Sequence, residues 1–195
     1  MVAAADLPFM SPSEYLHWEA EQNHRHEYIN GEICAMTGGT LAHNSITLNL
    51  AAALKAHLRG KPCKVFMADA KLQINETVYV YPDVAVTCDR RDLEATQQIQ
   101  HPKLIIEVLS PGTEAKDRGR KFYHYRRLPS LLEYCLVTPD AQQVECYRLN
   151  DRGKWELTTY SADETDTLTL TTVGLDCPFS RVYEDVVLPT DDVTL

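Results

Sequence analysis

The stretch P-K-L-I-I-E-V-L-S-P, residues 102–111, places Glu107 as a lone charge inside the apolar run L-I-I-E-V-L. Upstream, Y-P-D-V-A-V, residues 81–86, places Asp83 in the same kind of setting. Both runs have the composition of buried β-strands. Charged side chains are rarely buried without a partner, so two acids in two core strands need a counter-charge. We expect a divalent cation between them, because Mg²⁺ takes oxygen ligands from one or two carboxylates plus water.

Each acid taken alone also has a structural interpretation. Asp83 could be a strand-end residue that accepts hydrogen bonds from backbone N–H groups. Glu107 could pair with a neighbouring arginine or lysine, since structural ion pairs also explain isolated buried charges. The two acids together, followed by a cationic segment, favour the metal site.

The cationic segment spans residues 116–127 and carries six lysines and arginines against one acid, with three aromatic residues interleaved. A solvated helix face with aromatic residues packed on the core explains most of these charges. The nearness of the segment to Glu107 favours a catalytic or phosphate-binding role for one or two of them. Phosphodiester cleavage needs a cation near the nucleophile or the phosphorus centre.

Four other residues offer ligand chemistry. Glu27 follows the first predicted helix and is either a third carboxylate at the site or an exposed hairpin residue. His24, His26 and His43 are candidate metal ligands, but histidines have many ordinary uses and we assign them none.

Local signals predict one α/β domain over residues 1–195, with a mixed sheet flanked by helices. Ser11-Pro12-Ser13-Glu14 is a capping box that begins a helix, and Asn30-Gly31 predicts a type I′ hairpin turn. The polar segment 89–101 is expected to be a loop. Helices are predicted at about 12–22, 41–58 and 114–127, with a helical turn around 180–186. Strands are predicted at about 63–67, 70–75, 78–80, 82–88, 103–109, 132–138, 143–149, 154–160 and 167–171.

The chain has 195 residues and a formal net charge of −9. Residues 161–195 account for −7 of that charge, so the remaining chain is nearly neutral. The negative total argues against strong non-specific DNA binding but leaves a local phosphate groove possible. No apolar run approaches the roughly 20 residues of a membrane helix.

Six scattered cysteines form no C-x-x-C pair, so a zinc site of that kind is not expected. Residues 1–8, M-V-A-A-A-D-L-P, lack the positive start of a signal peptide. Although three disulfides are formally possible, we expect reduced cysteines and a cytoplasmic protein.

Seven motifs in order make a resemblance recognisable. The chain resembles the Uma-two family of restriction endonucleases over about residues 10–188, and this family resembles the PD-(D/E)xK nucleases in fold. The motifs are M-S-P-S-E-Y-L, H-E-Y-I-N-G-E-I, A-H-N-S-I-T-L-N-L, Y-P-D-V-A-V, P-K-L-I-I-E-V-L-S-P-G-T, D-R-G-R-K-F-Y-H-Y and L-L-E-Y-C-L-V.

The resemblance implies roles for individual residues. Asp83 matches the first acid of the nuclease motif and Glu107 the second, with the main-chain carbonyl of Val108 as a further metal ligand. Glu27 matches an N-terminal acid used at the metal. The usual motif lysine, two residues after the second acid, is replaced here by Leu109. The resemblance assigns its role to Lys121, in D-R-G-R-K.

These observations predict a DNA endonuclease that depends on Mg²⁺ or Mn²⁺ and acts as a homodimer, with a restriction-endonuclease-like fold. Lys116, Arg118 and Arg120 are expected to contact backbone phosphates. Two alternatives remain open. One is a non-catalytic nucleic-acid-binding or regulatory module, which would not need the acids. The other is a metal hydrolase of another phosphorylated substrate, because fold does not fix function.

Overall fold

The computed structural model describes residues 9–36 and 38–189, so residues 1–8 lie outside the described residues. The helices are α1 (Pro12–Ala20), α2 (Leu41–His57), α3 (Arg90–Glu94), α4 (Phe122–Tyr125) and α5 (Phe179–Val182), and a π-helical segment, Lys116–Lys121, leads directly into α4. The strands are β1 (His26–Ile29), β2 (Glu32–Ala35), β3 (Lys64–Met67), β4 (Lys71–Asn75), β5 (Val78–Val80), β6 (Val84–Thr87), β7 (Gln98–Ile99), β8 (Pro102–Val108), β9 (Glu133–Val137), β10 (Gln143–Leu149), β11 (Trp155–Ser161), β12 (Thr167–Leu170) and β13 (Leu175–Pro178).

The largest sheet has six strands in the order β11-β10-β9-β8-β6-β3. Its β8 and β9 are parallel, while its other neighbouring pairs are antiparallel. The helix-flanked mixed sheet predicted from the sequence is therefore confirmed. The structure also has a second sheet, with the strand order β2-β1-β5-β4-β7, and a two-stranded ribbon, β12-β13. The sequence patterns did not predict that these strands lie outside the six-stranded sheet.

Side chains on β8 alternate between two packed layers, as in any strand. Leu104, Ile106 and Val108 face a core formed with α2, the β12-β13 ribbon and α5. Ile105 and Leu109 face a second core, shared with β4, β5 and α4 of the five-stranded side. Glu107 lies two residues from both Ile105 and Leu109, so its side chain points to the same face of β8. It is therefore directed between the two sheets.

Short-range signals are realised as the sequence predicts. Ser11 accepts a hydrogen bond from the backbone N–H of Glu14, and the Glu14 carboxylate accepts one from the Ser11 N–H, which completes the capping box of α1. Asn30 and Gly31 adopt φ angles of 52° and 95°, as a type I′ turn between two short strands requires. This turn fixes the register of β1 and therefore the position of Glu27.

The prediction of a loop over residues 89–101 is wrong. Asp89 caps α3 by accepting a hydrogen bond from Arg91 N, and β7 pairs in parallel with β4. Buried Asp92 holds the following turn by accepting hydrogen bonds from the backbone of Gln100 and His101. These partners lie eight or nine residues away, so local polarity did not reveal them.

The prediction of reduced cysteines is wrong for one pair, because Cys63 and Cys88 form a disulfide. The antiparallel register of β3 and β6 pairs Lys64 with Thr87, which brings the two cysteines opposite each other at the strand ends. Disulfides are rare in cytosolic proteins, so a cytoplasmic location stays a prediction. Within the described ranges, no helix has the length and apolar character needed to cross a membrane.

Candidate active site

The register of β6 and β8 brings the two motif acids together. Val84 pairs with Ile106 in this antiparallel ladder, so Asp83 stands across from Glu107 at the next position. Asp83 N donates a hydrogen bond of 3.2 Å to Glu107 Oε2. The Asp83 carboxylate accepts one of 2.7 Å from Val108 N. The two acids are therefore connected through the backbone between them.

The ammonium group of Lys121 lies among three carboxylates. Its Nζ is 2.9 Å from Glu27 Oε1, 3.0 Å from Glu107 Oε1 and 3.3 Å from Asp117 Oδ1. Lys121 and Glu107 are almost fully buried, with 7% and 2% of their surface exposed. A buried lysine this close to three acids acts as their shared counter-charge.

The helical segment after β8 supplies this lysine through an unusual backbone. Lys116–Lys121 is π-helical, and its two buried residues are Asp117 and Lys121. Asp117, Lys121 and Tyr125 are spaced four apart, and all three point toward Glu107 or its neighbours. π-Helical turns inside α-helices occur frequently at functional sites. The predicted helix over 114–127 is thus present but carries an altered turn at the site.

Two tyrosines hold the cluster from the core side. Tyr125 donates a hydrogen bond of 2.7 Å from its hydroxyl to Glu107 Oε1. Tyr134 donates one of 3.1 Å to the backbone carbonyl of Asp117. Burial and the nearby Glu107 raise the pKa of both tyrosines well above the ordinary value. Both hydroxyls therefore remain protonated donors.

The acids outnumber the cations, and their proton affinities reflect this. Burial raises the pKa of Glu107 to about 8, with Asp83, Asp117 and Glu27 adding to the rise and Lys121 opposing it. Burial also raises the pKa of Asp117. Burial alone would lower the pKa of Lys121, but the surrounding acids outweigh it and raise that pKa well above the ordinary value. The cluster thus keeps the lysine charged and makes Glu107 easier to protonate than an ordinary carboxyl group.

Two buried carboxylate oxygens fit the chemistry of a bound cation. Glu27 Oε1 and Asp117 Oδ1 have no hydrogen-bond partner of acceptable geometry, although Lys121 lies within ion-pair distance of both. An unsatisfied buried acceptor of this kind costs free energy. Four carboxylates, a backbone carbonyl and a deficit of positive charge match the oxygen ligands and charge of Mg²⁺ or Mn²⁺.

The tightest set of ligand-type side chains lies elsewhere. Among residues 9–36 and 38–189, three such groups approach one another within 4.8 Å only at Glu133, Cys135 and Cys146. Glu133 is already occupied there, because Arg148 and Thr172 donate hydrogen bonds to its two oxygens. The acids around Lys121 are spaced more widely, since an ammonium group lies between them.

The residues expected to contact DNA are exposed but already have partners in this structure. Arg118 pairs with Glu114 and Glu145, and Arg120 pairs with Glu32. Lys116 Nζ lies 2.7 Å from the thiol of Cys34 and has no ion pair among the described residues. A phosphate group would therefore compete with carboxylates at the two arginines but not at the lysine.

Sequence reasoning missed three residues of the cluster. Asp117 was read only as the single acid of a basic segment, and Tyr125 only as a core aromatic residue. Their spacing of four from Lys121 was the available signal, because such residues share a helix face. The sequence context of His43 predicts no particular role, yet its Nε2 lies 3.2 Å from Asp83 Oδ2.

Comparisons with known proteins identify the family of this chain. A family model named Uma2, described as "Putative restriction endonuclease", matches residues 12–180. Two uncharacterized proteins of Synechocystis sp. (strain ATCC 27184 / PCC 6803 / Kazusa) are similar over most of their lengths. The protein slr1290 is 43% identical over 92% of this chain and 94% of its own. The protein sll1609 is 33% identical over 81% of this chain and 91% of its own.

A solved structure shares the fold. The crystal structure of a "putative nuclease belonging to DUF820" from Anabaena variabilis ATCC 29413 superimposes with a TM-score of 0.74. The match covers 89% of this chain and 97% of that one, at 17% sequence identity. At this identity the comparison establishes the architecture, a restriction-endonuclease-like mixed sheet flanked by helices.

Proposed function

The chain belongs to the Uma2 family, whose model is described as "Putative restriction endonuclease". From this premise we propose that the protein is a divalent-metal-dependent endonuclease that hydrolyses phosphodiester bonds of DNA. The observation that carries the proposal is the buried cluster in which Lys121 meets Glu27, Glu107 and Asp117 beside Asp83. A purely structural core has no need to bury so many acids, because buried ion pairs add little net stability.

Asp83, Glu107 and the carbonyl of Val108 are the proposed ligands of Mg²⁺ or Mn²⁺, with Glu27 assisting. Such an ion, when bound, would activate a water molecule and offset charge on a phosphate oxygen. Lys121 keeps a positive charge beside the ligands and orients Glu27 and Glu107 through its contacts. Tyr125 fixes the remaining freedom of the Glu107 carboxylate through its hydroxyl.

The proposed nuclease domain is the single domain of residues 1–195, with the family resemblance over about 10–188. We propose that it works as a homodimer, because cutting both strands of a duplex suits two-fold symmetry. The proposed phosphate contacts are Lys116, Arg118 and Arg120, which lie in the π-helical segment after the strand that carries Glu107. Their positive side chains would offset the negative total charge of the chain locally.

Plasmid cleavage tests the proposal. Purified protein with supercoiled plasmid should yield nicked and linear products in MgCl₂ or MnCl₂, and none in EDTA. Asp83→Ala should remove both cleavage and the heat of Mn²⁺ binding in a calorimetric titration, while circular dichroism shows the protein folded. DNA binding with no cleavage in either metal would instead support the non-catalytic module. Hydrolysis of small phosphate esters without plasmid cleavage would support the second alternative.

Charge reversal at Arg118 tests the phosphate groove. Arg118→Glu should weaken DNA binding and reduce the slope of log affinity against log salt by about one, since one phosphate contact releases about one counterion. Fluorescence anisotropy between 50 and 200 mM salt measures this slope.

Arg90→Glu is the matched control. Arg90 and Arg118 each make an i,i+4 ion pair of 2.8 Å with a glutamate, so both substitutions remove the same kind of surface pair. Arg118 also pairs with Glu145, so circular dichroism should confirm that both variants remain folded. Equal slopes for both variants and the wild-type protein would place the groove elsewhere.

A further inference from the structure

His43 sits where the first turn of α2 meets the ends of β6 and β8. Thr40 caps this helix, and its hydroxyl oxygen accepts a hydrogen bond of 3.1 Å from His43 N. The cap fixes the backbone of the first turn and therefore the position from which the His43 side chain extends. The ring nitrogen Nε2 reaches to 3.2 Å from Asp83 Oδ2.

Gly39 packs directly over the other side of the imidazole ring. A Cβ added at Gly39 would lie 2.8 Å from His43 Nδ1 and 2.9 Å from Cγ, closer than real side chains come. A Cβ at Gly38 would meet nothing within 4 Å. The backbone at Gly39 thus covers the Nδ1 side of the ring and leaves Nε2 directed toward Asp83.

The chemistry around Nε2 is that of a ligand set. Asp83 Oδ2 is already fixed by the hydrogen bond from Val108 N. About a fifth of the His43 side chain remains exposed, so solvent and ions can reach it.

We propose that His43 is a nitrogen ligand of the metal site and that it makes the site prefer transition-metal divalent ions, represented by Mn²⁺, over Mg²⁺. The proposal rests on the metal site of the proposed function. Carboxylate and carbonyl oxygens suit Mg²⁺ and Mn²⁺ alike, whereas an imidazole nitrogen suits transition-metal ions, most strongly those later in the series than Mn²⁺. Mg²⁺ in particular prefers oxygen ligands and gives up its water reluctantly. Gly39 is the positioning residue that holds the ring in line.

Metal binding, measured without DNA, tests this inference. Calorimetric titrations with MnCl₂ and with MgCl₂ should give the wild-type protein at least tenfold tighter binding of Mn²⁺. His43→Asn should weaken Mn²⁺ binding by at least about tenfold, the lower end of what losing metal-site support costs. Mg²⁺ affinity should change less than threefold, because the amide oxygen of asparagine is an acceptable ligand for that ion. Unchanged Mn²⁺ affinity would overturn the proposal.

Pulsed electron paramagnetic resonance of the Mn²⁺-loaded wild-type protein gives a direct second readout. A directly bound imidazole should produce modulation from its nitrogen nucleus, and absence of this modulation would also overturn the proposal. The signal needs no variant, so it decides the question even if His43→Asn does not fold.

Two glycine variants form the matched pair. Gly39→Ala should weaken Mn²⁺ binding in the same direction as His43→Asn, whereas Gly38→Ala should bind as the wild type does. Equal binding by both glycine variants would remove Gly39 from the proposal. If Mn²⁺ binds with the nitrogen signal but plasmid remains uncut, the proposed endonuclease fails and the His43 ligand stands. If the protein cuts DNA but shows no nitrogen signal, the His43 ligand fails and the proposed endonuclease stands.

Discussion

Glu107→Gln should abolish metal-dependent cleavage and make the metal-free protein more stable than the wild type at alkaline pH. Loss of activity follows from the loss of a ligand carboxylate, and we expect a rate at least about 100-fold lower. The gain in stability follows from burial, which raises the pKa of Glu107 from 4.5 to about 8. Glutamine presents the neutral form that the folded protein favours.

The sign of the pH dependence follows from this shift. Because the folded pKa is raised, the protonated carboxyl of Glu107 contributes its full stability below pH 4.5, and this contribution is lost as the pH rises through about 8. At about 1.4 kcal/mol per pKa unit, the loss amounts to several kcal/mol. The stability that Glu107→Gln gains over the wild type should be smaller by about 1 kcal/mol, since the amide nitrogen of glutamine cannot accept the hydrogen bond from Asp83 N.

Urea unfolding in EDTA between pH 5 and pH 9 measures the effect. The free energy of unfolding of the wild type should fall across this range, while that of Glu107→Gln should change much less. Glu94→Gln is the control, because Glu94 is an exposed acid paired with Arg90 on the surface. Parallel pH profiles for the wild type and Glu107→Gln would show that Glu107 is not the group that titrates.

Lys121→Met should lower single-turnover cleavage by roughly 10²–10³-fold at saturating metal, the scale for losing one preorganised charge-stabilising group. Methionine keeps the length of the apolar stem but removes the charge. Metal binding should persist, because Asp83, Glu107 and Val108 remain. Without metal the variant should be less stable by about 3–5 kcal/mol, since it leaves buried acids without their cation. Added Mn²⁺ should recover part of that stability, because a ligand that binds only the folded state stabilises it.

Adding Leu109→Lys tests whether the lysine has moved within the fold. Leu109 lies two residues past Glu107 and packs in the same buried layer as Tyr125, so a lysine there starts from the correct side. The double variant should recover part of the cleavage rate. Full recovery is not expected, because a misplacement of about 1 Å can cost about 100-fold.

Lys55→Met, on an exposed part of α2, controls for the loss of a lysine. Wild-type cleavage by Lys121→Met would refute the assignment and make Lys116 or Arg120 the next candidate. A folded double variant with no recovery would show that positions 109 and 121 do not converge on one point.

The sequence by itself determined the features that depend on neighbours within a few residues. The capping box of α1, the Asn30-Gly31 turn and the strands that contain Tyr79 and Glu107 were predicted because their signals lie within one turn or one strand. The two motif acids were identifiable for the same reason, since a lone charge in an apolar run conflicts with burial.

Only the tertiary structure decided which residues lie close enough to these acids to balance their charge. The register of β6 against β8 placed Asp83 across from Glu107. Packing of the five-stranded sheet against the π-helical segment brought Glu27 to Lys121. The disulfide of Cys63 and Cys88, the turn held by Asp92 and the approach of His43 to Asp83 likewise depend on partners distant in sequence.

The physical reason is the range of the interactions. Helix caps and hairpin turns are set by hydrogen bonds and φ preferences that a few adjacent residues satisfy. The charge balance of a buried cluster depends on which groups are desolvated together, and that follows from strand register and sheet packing. The sequence therefore indicated which acids would need a partner, and the tertiary structure placed Lys121, Tyr125 and His43 around them.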